Sequence, residues 1–137
     1  PLLPWSADQV LTKPLGLTEA SPTCFNAFTT DSIHTRLTTV GKVLPHARAK
    51  IIDTHGSIVP VGQRGELCMA GYQLTKGYWN NPEKTAETFI TDAEGVKWLK
   101  TGDEASFNAE GYCTITGRFK DIIIRGKFEQ PHIDSDF

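Results

Sequence analysis

The apolar positions of this chain fall in short bursts, each cut off by glycine, proline or a polar turn. Residues 49–53 and 57–59 flank Thr54-His55-Gly56, which predicts a hairpin. Residues 66–70 alternate, with Leu67 and Met69 on one face, and predict a strand. Short apolar runs at 97–100, 104–107, 112–116 and 122–124 follow at near-even spacing. Asn108-Ala109-Glu110-Gly111 supplies a turn between two of them, and Val61-Gly62-Gln63-Arg64-Gly65 another further upstream. Gly41-Lys42-Val43-Leu44-Pro45 reads as strand and turn. Glycines beside large aromatics, at Gly71-Tyr72 and Gly77-Tyr78-Trp79, suggest backbone packed closely against rings. Many short strands with such turns predict a mainly β, α+β chain built as a small barrel or sandwich with one or two short helices.

One helix is predicted, over 82–89. Asn81 can cap it, Pro82 suits its first position, and Glu83 faces the positive end of the helix dipole. Ala86, Phe89 and Ile90 stand at i, i+3, i+4 and predict its buried face. Residues 23–39 are polar and threonine-rich without a clean period, and are expected to be loop with a short helix. Residues 1–14, confined by Pro4 and Pro14, form an N-terminal segment without assigned structure, and 127–137 a polar tail. The organised unit is therefore expected over 15–126.

Composition narrows the function classes. Of 137 residues, 14 are Lys or Arg and 16 Asp or Glu, for a net charge of -2. That balance offers no basic stripe for nucleic acid and no polybasic membrane patch. No apolar run reaches the length of a membrane-spanning helix. The three cysteines are far apart and unpaired in pattern, so Cys68 and Cys113, both in predicted strands, are expected to be small buried hydrophobes. The four histidines show no metal-ligand spacing. The chain begins without Met and is expected to be part of something longer.

The candidate chemistry clusters at three places. Thr18-Glu19 sets a hydroxyl beside a carboxylate, next to a glycine at Gly16 that permits an unusual backbone angle. Asp103 lies in Thr101-Gly102-Asp103, and Arg118 in Gly117-Arg118-Phe119-Lys120-Asp121; each is expected where a strand meets a loop, the two converging on one face. A carboxylate can accept two hydrogen bonds from a ribose diol, and a guanidinium can donate to ribose or phosphate oxygens. A Thr-Glu pair suits a phosphate and a hard cation. Taken alone, these residues fit a nucleotide no better than several other readings, since Asp–Arg pairs at surfaces are commonly weak ion pairs.

The ordered set is more specific. Gly65-Glu66-Leu67, Gly77-Tyr78-Trp79-Asn80, Asn81-Pro82-Glu83-Lys84-Thr85, Thr101-Gly102-Asp103, Gly111-Tyr112 and Gly117-Arg118-Phe119-Lys120-Asp121-Ile122-Ile123 together resemble the adenylate-forming superfamily of acyl-CoA synthetases, luciferases and adenylation domains. The stretch from Gly65 to Phe89 resembles medium-chain fatty acyl-CoA synthetases in particular. The resemblance implies a distorted β-barrel subdomain of the family's large N-terminal domain. It implies that Gly16, Thr18 and Glu19 match the family's Tyr-Gly-x-Thr-Glu motif, with Thr18 at the α-phosphate and Glu19 on Mg²⁺. Asp103 would bind the ribose hydroxyls, Arg118 would assist there, and Lys120 would fall at the hinge of the small C-terminal domain. The implied reaction turns a carboxylic acid, a fatty acid by this resemblance, and ATP into acyl-AMP, which CoA then converts to a thioester.

Two positions depart from the pattern: Leu15 stands where the family has an adenine-stacking Tyr, and Lys127 where it has Gly. The family's phosphate loop and catalytic lysine are not matched in this sequence, so the chain alone is expected not to form acyl-AMP. An intracellular, cytoplasmic location is expected, with peroxisome or mitochondrion as alternatives. Two other readings stand beside this one: a non-catalytic β-barrel module with a binding or antigenic role, and part of an amino-acid-activating adenylation domain.

Overall fold

The computed structural model describes residues 14–119. The predicted strand at 122–124, Lys120, Ile123, and the two terminal segments at 1–13 and 127–137 lie outside the described residues.

Among the described residues, eight strands form two open antiparallel sheets. The first holds β1 (Leu15–Gly16), β2 (Thr23–Asn26) and β3 (Lys42–Val43) in that order. The second holds β4 (Arg48–Ile52), β5 (Gly65–Ala70), β6 (Phe89–Thr91), β7 (Lys97–Phe107) and β8 (Cys113–Arg118), in the order β4-β5-β7-β6 with β8 also on β7. The sheets meet at one corner. Val40 N–H donates to the Cys113 carbonyl, and Cys113 N–H donates to the Gly41 carbonyl, both at 2.9 Å. This corner brings the two open sheets together over the main core, and the chain is mainly β, in keeping with the sequence.

The core follows from period-two alternation. Leu67 and Met69 of β5 are fully buried beside Phe25, Cys24, Leu99 and Cys113 between the sheets. Their neighbours Cys68 and Ala70 turn to the opposite face, against Ile52 and Trp98. β5 is thus buried on both faces: Cys68 is buried as the sequence predicts, and Ala70 joins it on the face opposite Leu67 and Met69. Trp98 roofs that second face. Its indole N–H donates to Asp92 Oδ2 at 2.7 Å, and Lys50 lies 4.0 Å from its ring centre. Burying side chains of this size contributes about 1.5–3 kcal/mol each. Cys24, Cys68 and Cys113 are buried free thiols, and burial pushes them up to about 11, about 12 and about 12, so none is poised as a nucleophile.

The hairpin at Thr54-His55-Gly56 forms as expected. Asp53 Oδ1 accepts from the N–H groups of His55 and Ser57, and Val59 N–H donates to the Ile51 carbonyl. The short helix expected within 23–39 is α1 (Ile33–Thr38), whose Ser32 Oγ accepts from Thr35 N–H at 3.1 Å; the strand β2, where loop was expected, is the correction. The polar, threonine-rich setting hid β2, which owes its burial to Cys24 and Phe25.

The predicted helix is α2 (Pro82–Thr88), with Asn81 Oδ1 accepting from Lys84 N–H at 3.0 Å as the cap. Its predicted buried face is corrected: Ala86 is exposed, and α2 buries no residue. Phe89 and Ile90 belong to β6, not to the helix. Strand geometry sends Phe89 into the main core and Ile90 against the Trp98 cluster on the opposite face. The i, i+3, i+4 pattern was therefore a coincidence of a strand beginning one residue after a short helix.

Candidate functional site

The site starts from a fault in β7. Cys68 of β5 pairs with Lys100, and Glu66 pairs with Glu104, so Thr101, Gly102 and Asp103 together face only Leu67. This is a β-bulge, and Gly102 takes a left-handed φ of 75° to make it. Thr101 clips it. Its hydroxyl donates to the Leu67 carbonyl at 2.9 Å and accepts from Asp103 N–H at 3.1 Å. Thr101-Gly102-Asp103 is thus a bulge inside one eleven-residue strand, which corrects the expected break between strands at 97–100 and 104–107. Arg118 likewise ends β8 within the ladder, because β8 extends beyond the expected 112–116 to include it.

The bulge also lies at a fork. β5 and β6 both pair with Leu99, and β5 and β8 both pair with Ala105, so β6 and β8 share the other edge of β7. β6 ends its pairing at Leu99 and β8 begins at Asp103. A cleft of about 540 Å³ opens there, lined among others by Leu17, Glu19, Tyr78, Thr101, Gly102 and Arg118. One wall comes from the turn after β1, the other from the bulge and β8.

Asp103 and Arg118 are direct cross-strand partners, with Arg118 Nε 3.4 Å from Asp103 Oδ1. The pair is asymmetric: the Asp103 side chain is 7% exposed and that of Arg118 67%. Burial raises the Asp103 carboxyl above its ordinary value; the Arg118 charge and hydrogen bond pull the other way, and Glu66 adds to the rise. Glu66 itself pairs with Lys100 at 3.3 Å on the cleft wall.

Glu19 lies in a single 3₁₀ turn, Thr18–Ala20, closed by the Ala20 N–H bond to the Leu17 carbonyl at 3.0 Å and spanned by the Leu17 N–H bond to the Pro22 carbonyl at 2.7 Å. Its Oε1 accepts a hydrogen bond from the Tyr78 hydroxyl at 2.6 Å. That bond is the main cause of a raised Tyr78 phenol. Thr18 is exposed, and its hydroxyl has no hydrogen-bond partner among the described residues. Gly16 is needed for space rather than for an unusual angle, which corrects the expectation. A Cβ there would stand 2.8 Å from the Pro22 carbonyl oxygen across the β1–β2 hairpin. Leu15 packs against the core beneath that hairpin. Lys120 lies outside the described residues.

Of the sequence-predicted residues, then, Asp103 and Arg118 are paired, and Glu19 shares a cleft with Arg118 and Gly102. Thr18 and Gly16 belong to the turn that carries Glu19. Tyr78 and Thr101 were missed as contributors. The signal for Tyr78 was present as Gly77-Tyr78-Trp79, which suggested only close packing.

The donor set also bears on a cation. Among the described residues no group of three or more His, Cys, Asp or Glu side chains is placed to hold a metal. Glu19 Oε2, in contrast, has no partner among the described residues. A lone carboxylate oxygen in a cleft fits Mg²⁺, which commonly takes one or two carboxylates and fills its shell with phosphate oxygens and water.

The cleft thus sets Glu19, from the turn after β1, opposite Gly102 of the bulge and Arg118 of β8, with Asp103 paired to Arg118 behind it. A family model described as AMP-binding enzyme matches residues 7–79, and the chain belongs to that family, within the adenylate-forming superfamily. Over 115 residues it is 82% identical to the acyl-CoA ligase sidI of Aspergillus fumigatus, covering 84% of this chain and 20% of that protein. It is 47% identical over 112 residues to the mitochondrial medium-chain acyl-CoA ligase ACSF2 of Danio rerio, covering 81% of this chain and 18% of that one. Among solved structures, a long-chain-fatty-acid-CoA ligase (FadD1) from Archaeoglobus fulgidus superposes with a TM-score of 0.70 at 28% identity, over 81% of this chain and 22% of that chain. The chain spans about a fifth of the length of the curated relatives it matches.

Proposed function

We propose that this chain forms the ribose and cation side of the nucleotide site in an AMP-forming acyl-CoA ligase, with 15–126 as one β-rich subdomain. The observation that carries the reading is the cleft at the β7 fork, where Glu19, Gly102 and Arg118 line one space and Asp103 is paired with Arg118. The names of the Aspergillus fumigatus and Danio rerio relatives, both acyl-CoA ligases, favour acyl transfer to CoA over amino-acid activation.

In this reading Asp103 accepts hydrogen bonds from the two ribose hydroxyls. Because Arg118 covers Asp103, the guanidinium swings toward solvent as the sugar enters and then donates to ribose or phosphate oxygen. The mobility this needs is consistent with a side chain 67% exposed. Thr18 offers its free hydroxyl to the α-phosphate, and Glu19 offers Oε2 to a nucleotide-borne Mg²⁺. When bound, that ion would neutralise charge developing on the phosphates as the acid's carboxylate attacks the α-phosphorus and pyrophosphate leaves.

The test is a titration of the chain with AMP and with its 2′,3′-dideoxy analogue, followed by NMR. AMP should bind weakly and the analogue about tenfold or more weaker, since hydrogen bonds to a charged group contribute about 1.5–3 kcal/mol each. Equal affinity would contradict the role given to Asp103. With ATP, Mg²⁺ and a medium-chain fatty acid, the 137-residue chain should release no pyrophosphate, because the fixed charges that hold a triphosphate are not assembled by these residues alone. Release above background that Asp103→Ala abolishes would show that this account underrates the chain.

A further inference from the structure

Glu19 is gripped from two directions by one short segment. Thr75 N–H donates to the Glu19 carbonyl at 2.9 Å, and the Tyr78 hydroxyl donates to Glu19 Oε1 at 2.6 Å. The segment is itself pinned. Lys97 Nζ donates to the carbonyls of Thr75 and Lys76, at 3.3 and 2.6 Å. Tyr78 N–H donates to Thr85 Oγ1 at 2.9 Å, and that hydroxyl donates to the Asn81 carbonyl at 2.8 Å. Gly77, at φ 154°, lies so close to Thr85 that an added Cβ would stand 2.6 Å from Cγ2. The Tyr78 ring, tilted against Phe89 at 6.4 Å between centres, therefore has its backbone and its ring fixed before its hydroxyl meets Glu19.

We propose that Tyr78 is a positioning residue for the cation ligand: by occupying Oε1 of Glu19 it fixes the carboxylate and leaves Oε2 as a single-oxygen ligand for a divalent cation carried in by the nucleotide. The inference rests on the reading of Glu19 given above. A carboxylate free to rotate would lose entropy on taking up one cation geometry; one already held by a short bond to a rigid phenol loses less. Tyr78 touches neither nucleotide nor cation in this scheme, and acts through Glu19.

The readout is the gain in ATP affinity that Mg²⁺ confers, measured by NMR titration of the chain in EDTA and in excess Mg²⁺. Wild type should gain affinity with Mg²⁺. Tyr78→Phe should bind ATP in EDTA as wild type does, yet lose about tenfold of the Mg²⁺ gain, as partners of metal ligands typically cost when removed. Glu19→Gln should lose the gain, and adding Tyr78→Phe to it should change nothing more. A thermal melt of Tyr78→Phe close to wild type completes the expected pattern. A full Mg²⁺ gain in Tyr78→Phe would overturn the proposal, as would an equal loss with and without Mg²⁺, which marks a packing role only. Wild-type ATP binding with no Mg²⁺ gain would overturn the cation role of Glu19 and this proposal with it, while leaving the ribose reading standing. No ATP binding at all would overturn the nucleotide reading itself.

Discussion

Replacing Asp103 by Asn should remove nucleotide binding and leave the fold at least as stable. The two effects have separate causes. The binding loss comes from the charge: a carboxylate accepting two ribose hydroxyls becomes an amide with one acceptor, and hydrogen bonds to charged groups contribute about 1.5–3 kcal/mol each, so affinity should fall about 10–100-fold. The stability effect has the opposite sign because the carboxylate is 7% exposed and its partner Arg118 is 67% exposed. A pair so open on one side gives back little of the cost of burying the other charge. Burial raises the Asp103 carboxyl in the folded state, so folding favours its protonated form. That contribution is fully present below the unfolded carboxyl value of about 3.9 and is lost as pH rises through the raised folded value. The Asn variant does not titrate at this position. Its stability relative to wild type should therefore improve as pH rises through that window and then level off. Urea denaturation at pH 3.5, 5 and 7, set beside AMP titration at pH 7, checks both halves. An Asn variant that loses stability relative to wild type as pH rises would contradict the sign.

Gly41→Ala, at the bridge that joins the two sheets, should be strongly destabilising. Gly41 has a left-handed φ of 89°, and a Cβ there would stand 2.1 Å from the carbonyl carbon and oxygen of Asn26 and 2.3 Å from Ala27 N. These are backbone atoms and cannot swing aside. Left-handed backbone costs a non-glycine residue about 1–2 kcal/mol, and overpacking about 1–3 kcal/mol more. Domains of this size have only about 5–15 kcal/mol in total. Gly41 is also where the sheets join, through its carbonyl bond from Cys113 N–H. Moving it displaces β8 relative to the first sheet, and so Arg118 relative to Glu19. Gly62→Ala is the control, with a φ of 88° and no heavy atom within 4 Å of the added carbon. Urea midpoints should place Gly62→Ala about 1 kcal/mol below wild type and Gly41→Ala several times further down. Equal losses would mean that the corner yields.

What the sequence made legible were features with local causes. The Asn81 cap, the Asp53 hairpin and the Leu67/Met69 face all depend on residues a few positions apart, and each is found where expected. The Asp103–Arg118 pairing was approached through ordered motifs rather than through physics, since nothing local relates two residues on separate strands. The Ala86-Phe89-Ile90 face was misread because a seven-residue helix passes directly into a strand, and three apolar residues cannot distinguish the two periods. The bulge at Gly102 was invisible because its register depends on β5, more than thirty residues upstream. Tyr78 was missed for the same reason: its importance lies in a contact with Glu19, 59 positions away, while its own neighbours explain only how it is held.

The central claim is that one cleft, at the fork of β7, receives the ribose and phosphates of an adenine nucleotide. The most direct measurement is a map of amide chemical-shift changes when AMP is added to isotopically labelled chain. The account predicts that the changes concentrate at Thr18 and Glu19, at Thr101 to Asp103, and at Gly117 and Arg118, with the far-side Trp98 cluster silent. Saturable binding whose shifts fall on the Trp98 face or on α1, leaving the β7 bulge unmoved, would contradict it.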